Sequence, residues 1–143
     1  MKSKLAPHTE PTVLAFLETA YNLERRLDSA LSYRGTSFSE YRLLNALARH
    51  GPSGSAKVDL AREVGLTPSA VTRALKPLEK LGYLTTRKNE RDARQSIALI
   101  TAEGQTLLSD AQGFLHELLL TLPLNKLPQQ QVTDFQERLQ DLR

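Results

Sequence analysis

Apolar positions recur every three to four residues through most of this chain, and that period predicts helices. After Pro11 the set Val13, Phe16, Leu17, Ala20, Leu23, Leu27, Ala30 and Leu31 keeps helical spacing with Glu and Arg between its members, predicting a long first helix that ends before Gly35. Ser37-Phe38-Ser39-Glu40 fits a capping box and starts a second helix running to about Arg49. Gly51-Pro52-Ser53-Gly54-Ser55 reads as a plain loop, because its glycines and proline break helical geometry. A short third helix follows from about Lys57 and stops at Gly65. Thr67 as N-cap and Pro68 at the first helical position start a fourth, expected to reach about Leu81 with a kink near residues 73–77, where Pro77 lacks an amide.

The period then changes. Tyr83-Leu84-Thr85-Thr86 and Ser96-Ile97-Ala98-Leu99-Ile100 have strand content, and the polar stretch between them reads as a hairpin tip. Thr101 caps a fifth helix of about twenty residues, close to 30 Å long, that ends before Pro123. Val132, Phe135, Leu139 and Leu142 mark a last amphipathic helix. The expected fold is mainly α with a small β-hairpin.

One stretch carries more than periodicity. In Leu60-Ala61-Arg62-Glu63-Val64-Gly65-Leu66-Thr67-Pro68-Ser69-Ala70-Val71-Thr72-Arg73-Ala74-Leu75, Ala61 is small where two helices approach, Gly65 tolerates the positive φ of a tight turn, and Val71 wedges the second helix down. These are the steric requirements of a helix-turn-helix. On the fourth helix Val71, Ala74, Leu75, Leu78 and Leu81 form the expected buried stripe, leaving Pro68, Ser69, Thr72, Arg73, Lys76 and Lys80 outward. Hydroxyls and an arginine at the exposed N-terminal end of a helix suit base edges in a major groove, and the helix N-terminus around Thr67 suits a phosphate.

Charge placement agrees. Between Lys57 and Arg94 nine Lys and Arg face five Asp and Glu, a balance of +4 within a chain of net +3, so the remainder carries −1. Four of the nine residues in Arg87-Lys88-Asn89-Glu90-Arg91-Asp92-Ala93-Arg94-Gln95 are basic. A basic hairpin beside a recognition helix can straddle a phosphate backbone and send an arginine into the minor groove. Asp92 is expected to orient Arg94 as a charge-assisted pair. The candidate DNA-binding set is Thr67, Ser69, Thr72, Arg73, Lys76, Arg87, Lys88, Arg91 and Arg94, acting on double-stranded DNA.

In its order of elements, in Ser39-Glu40-Tyr41, in Leu78-Glu79-Lys80-Leu81-Gly82-Tyr83-Leu84 before the hairpin, and in Arg91-Asp92-Ala93-Arg94 ahead of Leu99-Ile100-Thr101-Ala102-Glu103-Gly104, the chain resembles the multiple-antibiotic-resistance regulator (MarR) family over nearly its whole length. The resemblance implies a winged helix-turn-helix lobe over residues 36–101, with dimerisation helices at 1–35 and 102–143 intertwined in a homodimer. It also implies repression at an operator, relieved by a small aromatic or anionic effector. Tyr21, Tyr41, Arg49 and His50 are the candidates for lining an effector pocket between the dimer helices and the lobe. Independently of any family, the first, fifth and sixth helices carry more apolar surface than so small a monomer covers. Phe16, Leu118, Leu119, Leu120, Leu122, Phe135, Leu139 and Leu142 are the interface candidates.

Other readings have less to stand on. No Gly-x-Ser-x-Gly, P-loop or dinucleotide fingerprint is present, so no catalytic residues, enzyme activity or cofactor are expected. Cysteine is absent, which removes disulfides, thiolate-bound zinc and the thiol-based peroxide sensing of one family branch. His8, His50 and His116 are far apart in sequence, so a metal-sensing regulator would need a tertiary coincidence and no metal is expected. A winged helix used for protein contact is the remaining alternative. No apolar run is long enough to span a bilayer, and Met1-Lys2-Ser3-Lys4 has no apolar stretch behind it, so neither membrane nor secretory leader is expected and the cytoplasm is the expected compartment.

Overall fold

The computed structural model describes residues 4–142. The first three residues of the basic start, considered above for a leader, lie outside the described residues. In chain order the elements are α1 (Thr9–Ser32), α2 (Phe38–His50), β1 (Ser55–Ala56), α3 (Lys57–Val64), α4 (Pro68–Lys80), β2 (Leu84–Lys88), β3 (Ser96–Ile100), α5 (Ala102–Leu120) and α6 (Gln129–Gln140). Short 3-10 segments occupy Gly51–Ser53 and Pro123–Lys126.

The local signals act as expected at the starts of α2, α4 and α5. The Ser37 hydroxyl accepts the Glu40 amide at 3.1 Å while the Glu40 carboxylate accepts the Ser37 amide at 2.8 Å, closing the capping box that begins α2. Thr67 and Thr101 likewise accept the amides of Ala70 and Gly104, each at 3.1 Å. α1 begins two residues earlier than the sequence suggests. Pro11 therefore falls inside its first turn, where a missing amide has no intrahelical partner to lose. α4 runs unbroken through Pro77 to Lys80. Leu81, expected in the buried stripe, sits past the helix end and is 67% exposed.

The loop predicted at residues 51–55 is more ordered than a plain connection. Ser55 and Ala56 pair antiparallel with Ala98 and Ile97 on the free edge of β3, so the hairpin becomes a three-stranded sheet of order β1-β3-β2. Two residues are too few to show a period, which is why the strand is invisible to pattern reading. Gly54 makes the approach possible: it has φ +65°, and a Cβ there would lie 2.4 Å from the Ala98 carbonyl oxygen. On the other side, β2 pairs with β3 from Leu84–Ile100 to Lys88–Ser96, which puts Arg87 and Lys88 in a strand rather than in the tip.

One core joins the lobe: Leu43, Leu44 and Leu47 of α2, Leu60 and Val64 of α3, Val71, Leu75 and Leu78 of α4, Leu84 and Ala98 of the sheet, and Leu108 of α5. A smaller cluster, Leu31 with Ala111 and Leu115, fastens the end of α1 to α5, and half-buried Tyr41 packs against both. The first half of α1 is different. Val13, Leu14, Phe16 and Leu17 are 40–56% exposed, and a groove of about 560 Å³ separates α1 from α6 and the segment before it. Leu122 and Leu139, named as interface candidates, line this groove with Phe16 and Phe135; Leu122 is already buried within the single chain.

The long helix α5 is anchored by a backbone contact. A Cβ on Gly104 would lie 1.9 Å from the Tyr83 carbonyl oxygen, so only glycine permits this approach. We expect Gly104→Ala to destabilise the fold by about 1–3 kcal/mol through overpacking, whereas Gly113→Ala in the same helix, facing open space, should stabilise it by about 0.4–1 kcal/mol. Urea unfolding of both variants checks the opposite signs.

Candidate nucleic-acid interface

Gly65 ends α3 at φ +68°, the left-handed conformation its turn requires, and the Leu66 amide closes the turn on the Ala61 carbonyl at 2.9 Å. α4 then starts with Thr67 as N-cap. With Val71, Leu75 and Leu78 buried, the opposite face presents Thr67, Ser69, Thr72, Arg73 and Lys76 to solvent. These five sequence-predicted residues thus share one exposed helical surface. Glu79 on the same helix accepts the Thr86 hydroxyl at 2.6 Å, tying β2 to α4 and holding wing and recognition helix as one unit. Sequence reading missed this link, because an isolated Glu among basic residues carries no signal until its strand partner is known.

The wing tip is a network of short polar turns. Asn89 pairs with Gln95 through backbone (3.0 Å) and side chain (3.1 Å), and the Asn89 carbonyl group of the side chain accepts the Arg91 amide at 3.0 Å. Asp92 was expected to hold the Arg94 guanidinium. Its carboxylate instead accepts the Arg94 backbone amide at 3.0 Å, so Asp92 shapes the loop and leaves the guanidinium free of it. Arg87 departs from the tip: its guanidinium reaches back to the Ser53 carbonyl at 3.4 Å, bracing the base of the wing. Among the described residues, Arg73, Lys76, Lys88, Arg91 and Arg94 take part in no salt bridge. Their charge faces water, available to an anionic partner.

A three-stranded wing against a helix-turn-helix, with a long helix following, is the arrangement of a known family. The MarR family model matches residues 34–95. Over that stretch, which is most of the winged lobe, the chain is similar to the MarR family. A MarR-family transcriptional regulator from Streptomyces coelicolor, solved in complex with DNA, superposes with a TM-score of 0.85 at 24% identity, over 99% of this chain and 89% of that one. The regulator BldR from Sulfolobus solfataricus gives 0.82 at 22% identity, covering 96% and 97%. PcaV from Streptomyces coelicolor, solved with its natural ligand, gives 0.73 at 20% identity, covering 98% and 96%. At these identities the likeness is one of fold. No curated protein sequence matches the chain.

The four residues expected to line an effector pocket do not share one cavity. Tyr21 of α1 lines a groove of about 360 Å³ with Glu24, Arg25, Asp28, Phe38 and Ser39. Tyr41 stacks on Phe38 at 6.1 Å and points into the core clusters. Arg49 and His50 sit at the far end of α2, where both bind Glu63 of α3, His50 at 2.8 Å. Arg25 and Asp28 were missed. Their signal was the spacing Tyr21, Arg25, Asp28, one stripe of α1. Among the described residues no three His, Cys, Asp or Glu are placed to hold a metal ion, and no helix is long and apolar enough to cross a membrane.

Hydrogen bonds from Arg49 and then His50 hold the Glu63 carboxyl below the ordinary carboxylate range. A carboxylate depressed in the folded state adds stability above its unfolded pKa, and that stability is lost as pH falls through the folded value. Acidification from about pH 5 to about pH 3 should therefore lower the urea midpoint of the wild type more than that of Glu63→Gln, which has no such proton to gain. Equal slopes for the two proteins would count against the bridge.

Proposed function

We propose that this chain is a DNA-binding transcriptional regulator that works as a homodimer, most simply as a ligand-responsive repressor of a pseudopalindromic operator. The observation that carries this reading is the exposed α4 surface of Ser69, Thr72, Arg73 and Lys76 beside a wing whose Lys88, Arg91 and Arg94 have no acidic partner among the described residues. Bidentate arginine and adaptable hydroxyls read base edges, while the wing cations neutralise phosphate. Thr67 offers its helix N-terminus to a phosphate, and Arg87 acts from the base of the wing. The outward face of α4 carries no large apolar residue up to Lys80, which argues against a protein-docking module.

Dimerisation follows from the uncovered apolar helices. In this reading residues 1–35 and 102–143 pair across a two-fold axis, with Phe16, Leu118, Leu119, Phe135, Leu139 and Leu142 as contacts. The lobe at 36–101 then meets one half-site, and two lobes set an operator of about 16–20 base pairs. The Tyr21–Arg25–Phe38 groove suits a small aromatic or anionic effector, and PcaV, a protein of similar fold solved with its natural ligand, supports a ligand-responsive reading. In this reading the protein works without catalysis or cofactor, in the cytoplasm.

Fluorescence anisotropy with duplexes from the region upstream of its own gene tests the proposal. Affinity should fall steeply with salt. Arg73→Ala should cost about 1–3 kcal/mol and relax sequence preference, while Arg94→Ala or Lys88→Ala should weaken all duplexes alike and flatten the salt slope by about 1. Salt-independent binding, or unchanged affinity in Arg73→Ala, would refute the reading.

A further inference from the structure

The helix-turn-helix is held from behind by a second helix. Val64, the last residue of α3, offers its carbonyl at the point where intrahelical partners run out, and the Arg42 guanidinium of α2 donates to it. One residue earlier, Glu63 is held by Arg49 and His50 of the same helix. Three side chains of α2, two of them arginines, therefore converge on the final turn of α3, the negative end of its dipole. Thr67, the cap of the recognition helix, is only three residues beyond Val64.

Arg42 is also tied toward α1. Its guanidinium lies 6.0 Å from the ring centroid of Phe38, one turn earlier in α2, and the Phe38 amide donates to the Asp28 carboxylate of α1 at 2.8 Å. Asp28 and Phe38 both line the α1–α2 groove. A continuous set of contacts runs from that groove, through Phe38 and Arg42, to the carbonyl that precedes the turn.

We infer that Arg42 is a positioning residue for operator discrimination, fixing the pitch of α4 by holding the end of α3 without itself touching DNA. The inference rests on the DNA-binding reading above. Arginine is suited to the task because its planar fork donates to a carbonyl while its face lies against an aromatic ring; lysine supplies the charge without that geometry. Small errors in the pitch of α4 displace the base-reading side chains most, whereas phosphate contacts tolerate them. Loss of the contact should therefore reduce the preference for a specific duplex more than it reduces general affinity.

The test compares wild type, Arg42→Met and Arg42→Lys on two probes: a duplex selected by the wild type from a randomised library, and a mixed-sequence duplex of equal length. Met retains the apolar stem against Phe38 and lets the variant fold. We expect Arg42→Met to lower the ratio of affinities by about tenfold, the scale of one charge-assisted hydrogen bond, and Arg42→Lys to recover part of it. Amide exchange at Gly65 and Leu66 should quicken in Arg42→Met while that of α5 stays unchanged. A wild-type ratio in Arg42→Met, with the wild type selecting a sequence, would overturn this inference alone. A wild type that selects no sequence would overturn the DNA-binding reading and this inference with it. A loss of affinity equal on both probes, with faster exchange throughout, would show a merely structural arginine and also overturn it.

Discussion

At the corner where α4 gives way to the wing, the Tyr83 carbonyl accepts the Thr101 amide at 3.1 Å and lies against the bare Cα of Gly104. The Thr101 hydroxyl, while accepting the Gly104 amide, donates to the Gly82 carbonyl at 2.6 Å. The end of the recognition helix, both long wing strands and the start of α5 thus share a few backbone atoms. Any rotation of α5 must move the wing and α4 with it, since there is no side chain between them to absorb the change. The Leu-x-Thr-x-x-Gly pattern at Leu99–Gly104 is the sequence imprint of this junction.

Around that corner the lobe has two kinds of support. Apolar packing of α2, α3, α4 and the sheet gives it a common core, and polar links set the relative angles: Glu79 with Thr86 between recognition helix and wing, Arg42 and Glu63 between α2 and α3. Most of these links lie at partly exposed positions, where each contributes little to stability. Their value is directional. The proposed base-reading surface would need its side chains placed closely, and a core of leucines alone permits small slides between helices.

The helices, the turn at Gly65 and the two long strands were legible in the sequence because each rests on local chemistry: capping hydroxyls, a glycine at positive φ, a change of period. What was not legible depends on partners distant in the chain. β1 exists only because Ala98 and Ile97 present a free edge to Ser55 and Ala56. Leu81 fits the helical stripe by spacing, yet the helix ends one residue before it. Asp92 and Arg94 are two residues apart and of opposite charge, which suggested a side-chain pair; the tight turn brings the backbone amide into reach first. For the α1–α2 groove, the α1 stripe of Tyr21, Arg25 and Asp28 was available, but its alignment with Phe38 is tertiary.

Since the chain contains no cysteine, a single one can be placed at will and carry a tethered iron chelate that cuts nearby DNA. With Ser69→Cys on the recognition helix, Arg91→Cys at the wing tip and Leu119→Cys on α5, cleavage of a bound operator maps each element on the duplex. The account predicts focused cuts within each half-site from Ser69→Cys, cuts at the outer flanks from Arg91→Cys, and none from Leu119→Cys. Cleavage centred on Leu119→Cys, or no focused cleavage from Ser69→Cys on a duplex the protein binds, would contradict it.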